Sequence, residues 1–594
     1  MAIFTSDGID LETQKRILNF LNEATTAADI AGTEPQEGPV HDDTTKGYGD
    51  QVKDYDIGLK VAQRILDKRA TLGTSGFTDL SQLSNIDGFG QDKFDDLVYS
   101  FGPSFYGKWE TLPDSAVYVV HAAVLNSGKV LMFAGRAEGA NLPLNSAVWD
   151  PKKQGQPDAF DIQKAGQPGT YTDDLFCSHH SFLADGKLLV NGGDNRPNGH
   201  TLKATNVFDP ANNQWLKPPN KPPDMNHARW YPTTLTLPEN KGVITFSGDS
   251  SERDPNGTIE GIVDEVEIFN MVDWKDVTGA NKSLQIYPGM HLLANGKILY
   301  VTTRWASGRG LWTNPPKTAS FDLSNNTWQD IGYQLVKDRT EGMSVILPPD
   351  NKRVMVIGGR GDHASETSTN SVEMINFNET NPQWREVKEM HFKRRNVNAV
   401  LLPTGKVLVC AGIQGFKSDS DPKPVLTAEL YDPVADDWND MAPMTIPRLY
   451  HSVSLLLPDA RVLNLGSVEA GGTNWYDLIT DIEVFSPPYL FRGSRPTISN
   501  VPAEVDHGKT FTLETPDANS IKKVILVRPG AATHHTDTEQ RVVPLEFTQD
   551  GTNELKVTMP NGNHPHYIAI RGYYMLFILN KKDVPSIAKF ILLH

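Results

Sequence analysis

Four residues in this 594-residue chain combine side chains that bind oxidising metals with similar local surroundings. Cys177 sits in "DDLFCSHHS", Tyr231 in "HARWYPTTL", and the adjacent pair Tyr450 and His451 in "PRLYHSVSL". Each stands just before an apolar segment that ends in a short turn. Phenolate is a strong donor to an oxidising cation, so two phenols with an imidazole suit Cu(II) or Fe(III) better than zinc. A thiol and phenols beside such a metal can themselves take part in redox chemistry. Singly, each residue has a plainer explanation. A lone Cys is commonly a small buried hydrophobe, which is the reading for Cys410 inside "KVLVCAGI". Tyr beside a turn usually packs, and neighbouring side chains on a regular strand point to opposite faces, which sets Tyr450 against His451. What the set needs is a scaffold that brings the four to one place.

A repeated unit supplies it. An apolar segment, a turn such as D-G or N-G, a second apolar segment and a small pair recur from His121, His180, Thr234, His291, Ser344, Asn398 and His451. The starts are 59, 54, 57, 53, 54 and 53 residues apart, near the period of kelch propeller blades. Trp-bearing turns such as "VFDPANNQW", "SFDLSNNTW" and "LYDPVADDW" follow several copies. Seven units predict a seven-bladed β-propeller, whose radial closure leaves few open strand edges. The candidate residues fall just before the inner hairpins of blades two, three and seven, around one end of the propeller axis. Blades five and six offer Met343 and Asn396, poorer ligands for such a cation. At a blade entrance the chain has not settled into regular pleating, so successive side chains can serve one site.

The flanks complete a mainly β chain: residues 1–105 predict a small helical domain, 106–485 the propeller, and 486–594 an immunoglobulin-like β-sandwich. "FTDLSQLSNIDGFGQDKFDDLVYSF" resembles a helix-hairpin-helix, with Ile86 to Gly90 as its hairpin. The 9 Lys/Arg against 18 Asp/Glu of residues 1–105 oppose phosphate binding. The net charge of -17 likewise excludes nucleic acid as the main partner. No apolar run has the length of a membrane span, and the first residues do not read as a signal peptide. Two cysteines rule out a disulfide framework.

From about residue 106 to 594 the chain resembles the galactose oxidase and glyoxal oxidase family of copper-radical oxidases, nearer the glyoxal oxidase branch through "RWYP". "RLYHSVSLLLPDARVLN" is similar to the segment with the axial tyrosine and an equatorial histidine, which implies Tyr450 as axial phenol and proton acceptor and His451 as copper ligand. "LFCSHHSFLADGKLLVNGGD" and "ARWYPTTL" resemble the segments of the cross-linked pair. Cys177 and Tyr231 are then expected as a thioether-linked tyrosyl radical, with Tyr231 on the copper. "VRPGAATHHTDTEQRVVPL" resembles the loop with the last ligand, and its register favours His534 over His535. The resemblance implies one copper ion, a small alcohol, aldehyde or carbohydrate substrate, O2 reduced to H2O2, a monomer, and an exported or cell-surface location. Two departures stand out: the acidic helical segment replaces a carbohydrate-binding module, and Ile570-Arg571 replaces a Pro pair. Trp230, Trp274 and Trp305 are candidates for the aromatic over Tyr231, and Arg304, Arg309 and His363 for substrate contacts. The rival expectation is a non-catalytic propeller that binds a glycan or protein and has no use for Cys177.

Overall fold

Hydrophobic hairpins with polar turns pack here as radial blades, so the fold is mainly β, as a computed structural model of the chain shows. It describes residues 4, 9–31, 57–115, 117–134, 146–163, 173–195, 200–253, 259–302, 317–336, 339–360, 368–415, 423–468, 479–561 and 567–594. Two compact units result: Met1–Lys108 with Ser486–Gly493, and Trp109–Phe485 with Ser494–His594.

In the smaller unit, helices Leu11–Glu23, Leu59–Thr71 and Gln91–Phe101 bury one apolar face each, with Ile17, Phe20, Leu21, Ile65, Leu97 and Phe101 inside. Asp10 caps the first helix by accepting from Thr13 N at 3.0 Å. At the hairpin, Gly88 has φ +80° and Arg64 donates to Asp87 O at 2.7 Å. The half-exposed Arg64 is thus engaged by the hairpin of its own domain.

The larger unit holds the seven blades and the sandwich. Each of blades two to six is a four-stranded antiparallel sheet taken in chain order. Blade seven instead receives its outermost strand, Lys108–Leu112, from before blade one, which closes the circle. The strands are short and buried on both faces, as in Leu188–Asn191 and Val407–Cys410, because neighbouring blades cover them. Cys410 is fully buried there, and burial pushes its thiol up to about 11, as its plain packing role requires.

One device repeats under the blades. Arg229, Arg339, Arg394 and Arg448 are fully buried and face Glu267, Glu373, Glu429 and Glu483 of the third strand of their own blade. The same arginines reach the chain at the small pair, Arg229 donating to Ser247 O, Arg394 to Ala411 O and Arg448 to Gly466 O. Each therefore pins its own blade entrance to its own inner hairpin, which fixes the height of the entrance residues on the axis.

In the sandwich, the long strand Arg541–Asp550 pairs with Ile521–Arg528 through its first half and with Glu554–Thr558 through its second. That bend folds the sheet over a core of Leu513, Leu526, Val543, Leu555, Leu576 and Ile591. From this domain, strand Ala531–Thr533 enters the propeller and pairs antiparallel with the innermost strand of blade one, His121–Val124. Glu539 anchors it, accepting from Phe182 N at 3.0 Å and Thr236 Oγ1 at 2.9 Å and pairing with buried Arg528.

Candidate metal centre

The blade entrances share a backbone feature that the sequence conceals. Cys177, Tyr231, Tyr287, Glu341, Asn396 and His451 all have positive φ, between 43° and 68°. Each stands two residues before the innermost strand of blades two to seven in turn. Left-handed backbone is unfavourable for Tyr, Cys, Glu and His. Its repetition at six equivalent places shows that the entrances demand it, and functional sites are where such strain is retained. The entrances are also linked edge to edge: Tyr231 N donates to Cys177 O at 3.0 Å, Tyr287 N to Tyr231 O at 2.8 Å, and Asn396 N to Glu341 O at 2.8 Å. These six residues form a ring around one end of the axis.

Tyr450 and His451 resolve into this scheme. In blades three, five and six the buried Arg lies two residues before the left-handed one, as in Arg229 and Tyr231. In blade seven it lies three before, so that Leu449 is an extra residue between Arg448 and the pair. Its ion pair is correspondingly long, 3.7 Å to Glu483 against 2.5–2.8 Å in the other three. Tyr450 then corresponds to Trp230, and His451 to Tyr231. Because the chain turns between them, the two rings lie together with centroids 4.0 Å apart instead of on opposite faces.

The five sequence candidates converge. Tyr231 and Tyr450 hydroxyls are 2.9 Å apart. Cys177 Sγ lies 3.2 Å from His534 Nε2, and ligating atoms of Cys177, His451 and His534 all fall within 4.8 Å of one another. Ring centroids of His534 are 4.6 Å from His451, 5.3 Å from Tyr231 and 5.4 Å from Tyr450. His534 and His535 occupy the two-residue turn between strands Ala531–Thr533 and Thr536–Asp537, both with positive φ. Such a turn favours Asn-Gly, so two histidines there are retained against backbone preference. His535 faces the other way, with Nδ1 3.3 Å from Asn398 Oδ1.

One hydroxyl sets which nitrogen of His534 points inward. Thr533 Oγ1 donates its single proton to Val120 O at 3.0 Å and lies 2.6 Å from His534 Nδ1. It can only accept there, so Nδ1 carries the proton and Nε2 presents its lone pair to the cluster, the arrangement metal-binding imidazoles use. Electrostatics point the same way. Burial, then the Cys177 and Tyr450 groups beside it, hold Tyr231 well above the usual phenol range. A phenol so placed ionises only when a cation takes up its charge. Burial also lowers His121 and His179 well below the imidazole range and His180 to about 4, so these three rings add no positive charge against a cation. Two phenols and two imidazoles beside a thiol therefore fit an oxidising cation of the Cu(II) or Fe(III) kind.

Two further contacts surround Tyr231. The Trp230 ring lies over it, centroids 4.2 Å apart. Trp274 does not take part: it is buried in blade three, packs on Phe269 and donates to Thr205 Oγ1 at 2.9 Å. Trp305 lies outside the described residues, as do Arg304, Arg309 and His363. Sequence reasoning missed Tyr287, whose ring sits 4.7 Å from Tyr231 and 4.9 Å from His534 and whose hydroxyl donates to Ser178 O at 2.6 Å. The signal was there, since "IYPG" repeats the Tyr-Pro of "WYPT" one blade on. Blade five contributes Glu341 at the ring position, whereas Met343 already belongs to its strand.

Comparison with known proteins identifies the family. A family model described as "Glyoxal oxidase N-terminus" matches residues 159–489, and "Galactose oxidase-like, Early set domain" matches 495–593. Galactose oxidase of Gibberella zeae is 28% identical over 516 residues, covering 82% of this chain and 70% of that protein. Aldehyde oxidase GLOX of Vitis pseudoreticulata is 28% identical over 538 residues, covering 82% of this chain and 97% of that protein. Among solved structures, one described as a "novel fungal alcohol oxidase with catalytic diversity among the AA5 family, in complex with copper" superposes with a TM-score of 0.68 at 25% identity, covering 82% of this chain and 99% of that one. With more than half of its length matched by the first model, this chain belongs to the galactose oxidase and glyoxal oxidase family of copper-radical oxidases.

Proposed function

We propose that this chain oxidises a small primary alcohol or hydrated aldehyde and passes two electrons to O2, giving H2O2. The observation that carries the reading is the meeting of Tyr231, Tyr450, His451, His534 and Cys177 at one end of the axis. Tyr231, Tyr450, His451 and His534 would hold the copper, which supplies Lewis acidity and one of the two oxidising equivalents. Cys177 and Tyr231 would supply the other after a thioether joins them. In that joining a thiol hydrogen and a ring hydrogen leave as an S–C bond forms, and the two electrons and two protons reduce O2 to H2O2. Tyr450, 2.9 Å from the Tyr231 hydroxyl, would take the proton of the substrate hydroxyl. Trp230 shields one face of Tyr231 from water. A copper-dependent oxidase of this kind suits an exported or cell-surface setting, where copper is available, and a small-molecule substrate. Among the described residues no helix is long and apolar enough to cross a membrane.

Intact mass tests the reading. Metal-free protein given copper and O2 should lose two hydrogens, and Cys177→Ser or Tyr231→Phe should abolish the loss. A wild-type mass that stays unchanged after full copper loading would overturn it and favour a non-catalytic propeller.

A further inference from the structure

The segment that carries Cys177 reads "FCSHHS", and its two histidines stand outside the metal cluster. Both are fully buried at the start of the innermost strand of blade two, His179–Phe182. The His180 ring lies against blade one, with centroids 5.4 Å from His121 and 5.8 Å from Phe133. The His179 ring lies 5.9 Å from Tyr287 of blade four. His179 also makes a bond that strand pairing does not supply. Its Nδ1 accepts at 3.2 Å from the backbone N of Thr234, the second residue of the innermost strand of blade three. The innermost strands of these two blades belong to separate sheets, so a side chain has to span the gap. Because Nδ1 accepts, the ring proton sits on Nε2, and neither nitrogen is open to a metal.

This bond completes a row. Cys177 O accepts from Tyr231 N at 3.0 Å, Ser178 O from the Tyr287 hydroxyl at 2.6 Å, and His179 Nδ1 from Thr234 N. Three successive residues are each held from another blade, two of them by the segment that carries Tyr231. One bond alone would let the two segments pivot about it. A second bond, two residues on from Cys177 and three on from Tyr231, fixes their angle and with it the approach of Cys177 Sγ to the Tyr231 ring. A parallel tie joins blades five and six, where Ala399 N donates to Met343 Sδ at 3.0 Å. A thioether, a weak acceptor, suffices there; beside Cys177 the acceptor is an imidazole nitrogen.

We infer that His179 is a positioning residue for closure of the Cys177–Tyr231 thioether. In closure the thiol hydrogen and a ring hydrogen of Tyr231 leave as the S–C bond forms, and O2 takes up the two electrons and two protons as H2O2. His179 exchanges neither proton nor electron in this step. It holds the thiol against the ring beforehand, so that the approach costs little when the bond forms. The inference rests on the thioether reading of Cys177 and Tyr231 and adds to it the residue that aligns the two.

Three variants of the full chain test it, each prepared metal-free, given saturating copper and O2, and timed by the two-hydrogen loss in intact mass. His179→Leu fills the space without an acceptor, His179→Gln carries its carbonyl at the reach of Nε2, and His179→Asn carries one at the reach of Nδ1. Loss of one hydrogen bond predicts closure about 3- to 10-fold slower in the Leu and Gln variants, with Asn within about twofold of wild type. Copper Kd, from chelator competition, should be the same in all three, and hydrogen exchange at Thr234 N should quicken in Leu and Gln only. Where the Leu variant does not fold, the Gln and Asn variants decide between themselves. A purely structural role predicts earlier melting in every variant with the closure rate unmoved, and that result, or slowing that Asn shares equally, overturns the inference. A wild-type chain that closes no thioether overturns the oxidase reading as well, whereas normal closure in the wild type and in the variants overturns this inference alone.

Discussion

Replacing Thr533 with Val should weaken copper binding through a side chain that never touches the metal. Thr533 is fully buried, and its hydroxyl makes two contacts: to Val120 O at 3.0 Å and to His534 Nδ1 at 2.6 Å. Valine preserves the volume and branching and removes both. His534 then loses the acceptor that holds its proton on Nδ1, so the ring can turn or take the tautomer whose Nε2 is protonated and cannot bind. Loss of such an orienting partner lowers metal affinity by about 10- to 100-fold. The unpaired Val120 carbonyl costs stability as well, about 1–3 kcal/mol. A chelator competition gives the copper Kd, and a melting curve of the metal-free protein gives the stability loss independently. Thr533→Ser keeps the hydroxyl and should restore the Kd to within about threefold of wild type, under 1 kcal/mol. If Thr533→Val melts earlier but binds copper as tightly as wild type, tautomer control by Thr533 is refuted. If the Ser variant binds as poorly as Val, packing of the branched side chain is the cause instead.

Four other outcomes follow from the same geometry. Tyr287→Phe keeps the ring against Tyr231 and His534 but loses the bond to Ser178 O beside Cys177; thioether formation, timed by intact mass, should slow about 3- to 10-fold with copper Kd unchanged. Arg528→Met strands the buried Glu539 carboxylate at the base of the ligand loop; denaturant unfolding should show a loss of about 3–5 kcal/mol. Asp537 is buried in that loop, and burial raises it to about 7. Its folded value lies above the unfolded one, so its contribution is complete below about pH 4 and is lost as pH rises through about 7. Metal-free Asp537→Asn should therefore match wild type at acidic pH and melt progressively later than it up to neutral pH; a constant difference across pH would refute the assignment. Cys410→Ala should leave the two-hydrogen mass loss intact, since that thiol is buried in the second strand of blade six.

The blades were legible because their signal is repeated: apolar pairs around D-G or N-G turns recur where each hairpin must face two neighbouring blades. The sandwich was legible from strand alternation, and Cys177, Tyr231, Tyr450 and His451 stood out by their common offset to the hairpins, whereas His534 was singled out only through the resemblance of its loop. The rest depended on information that no single segment carries. The donation of Lys108–Leu112 to blade seven is a pairing across almost the whole propeller. The Arg–Glu pairs join residues 34 to 38 apart in chain, such as Arg339 with Glu373 and Arg229 with Glu267, and show only in three dimensions. Thr533, and the role of Tyr287 beyond its repeated Tyr-Pro, escape motif reasoning for a different reason. Their roles lie in which atoms they orient, and residue type alone does not disclose an orientation.

Tyr450 and His451 show how the scaffold constrains the chemistry. A blade entrance of ordinary length offers one left-handed residue and the one before it, as Trp230 and Tyr231 do in blade three. In blade seven Leu449 is inserted behind the pair, and Leu449 is itself buried in the apolar cluster under the site. The insertion lengthens the Arg448–Glu483 contact to 3.7 Å, which weakens a buried pair whose desolvation is already unfavourable. Burial lowers Arg448 to about 10, whereas Arg339, in the tight pair of blade five, is lowered with no such displacement from Glu373. The extra residue is thus accommodated by loosening the clamp that every other such entrance keeps. Deleting Leu449 would restore the clamp length and the common register, and by the same geometry would withdraw either Tyr450 or His451 from the side-chain cluster. Stability and the meeting of Tyr450 with His451 are opposed at this one position, and the chain has kept the meeting.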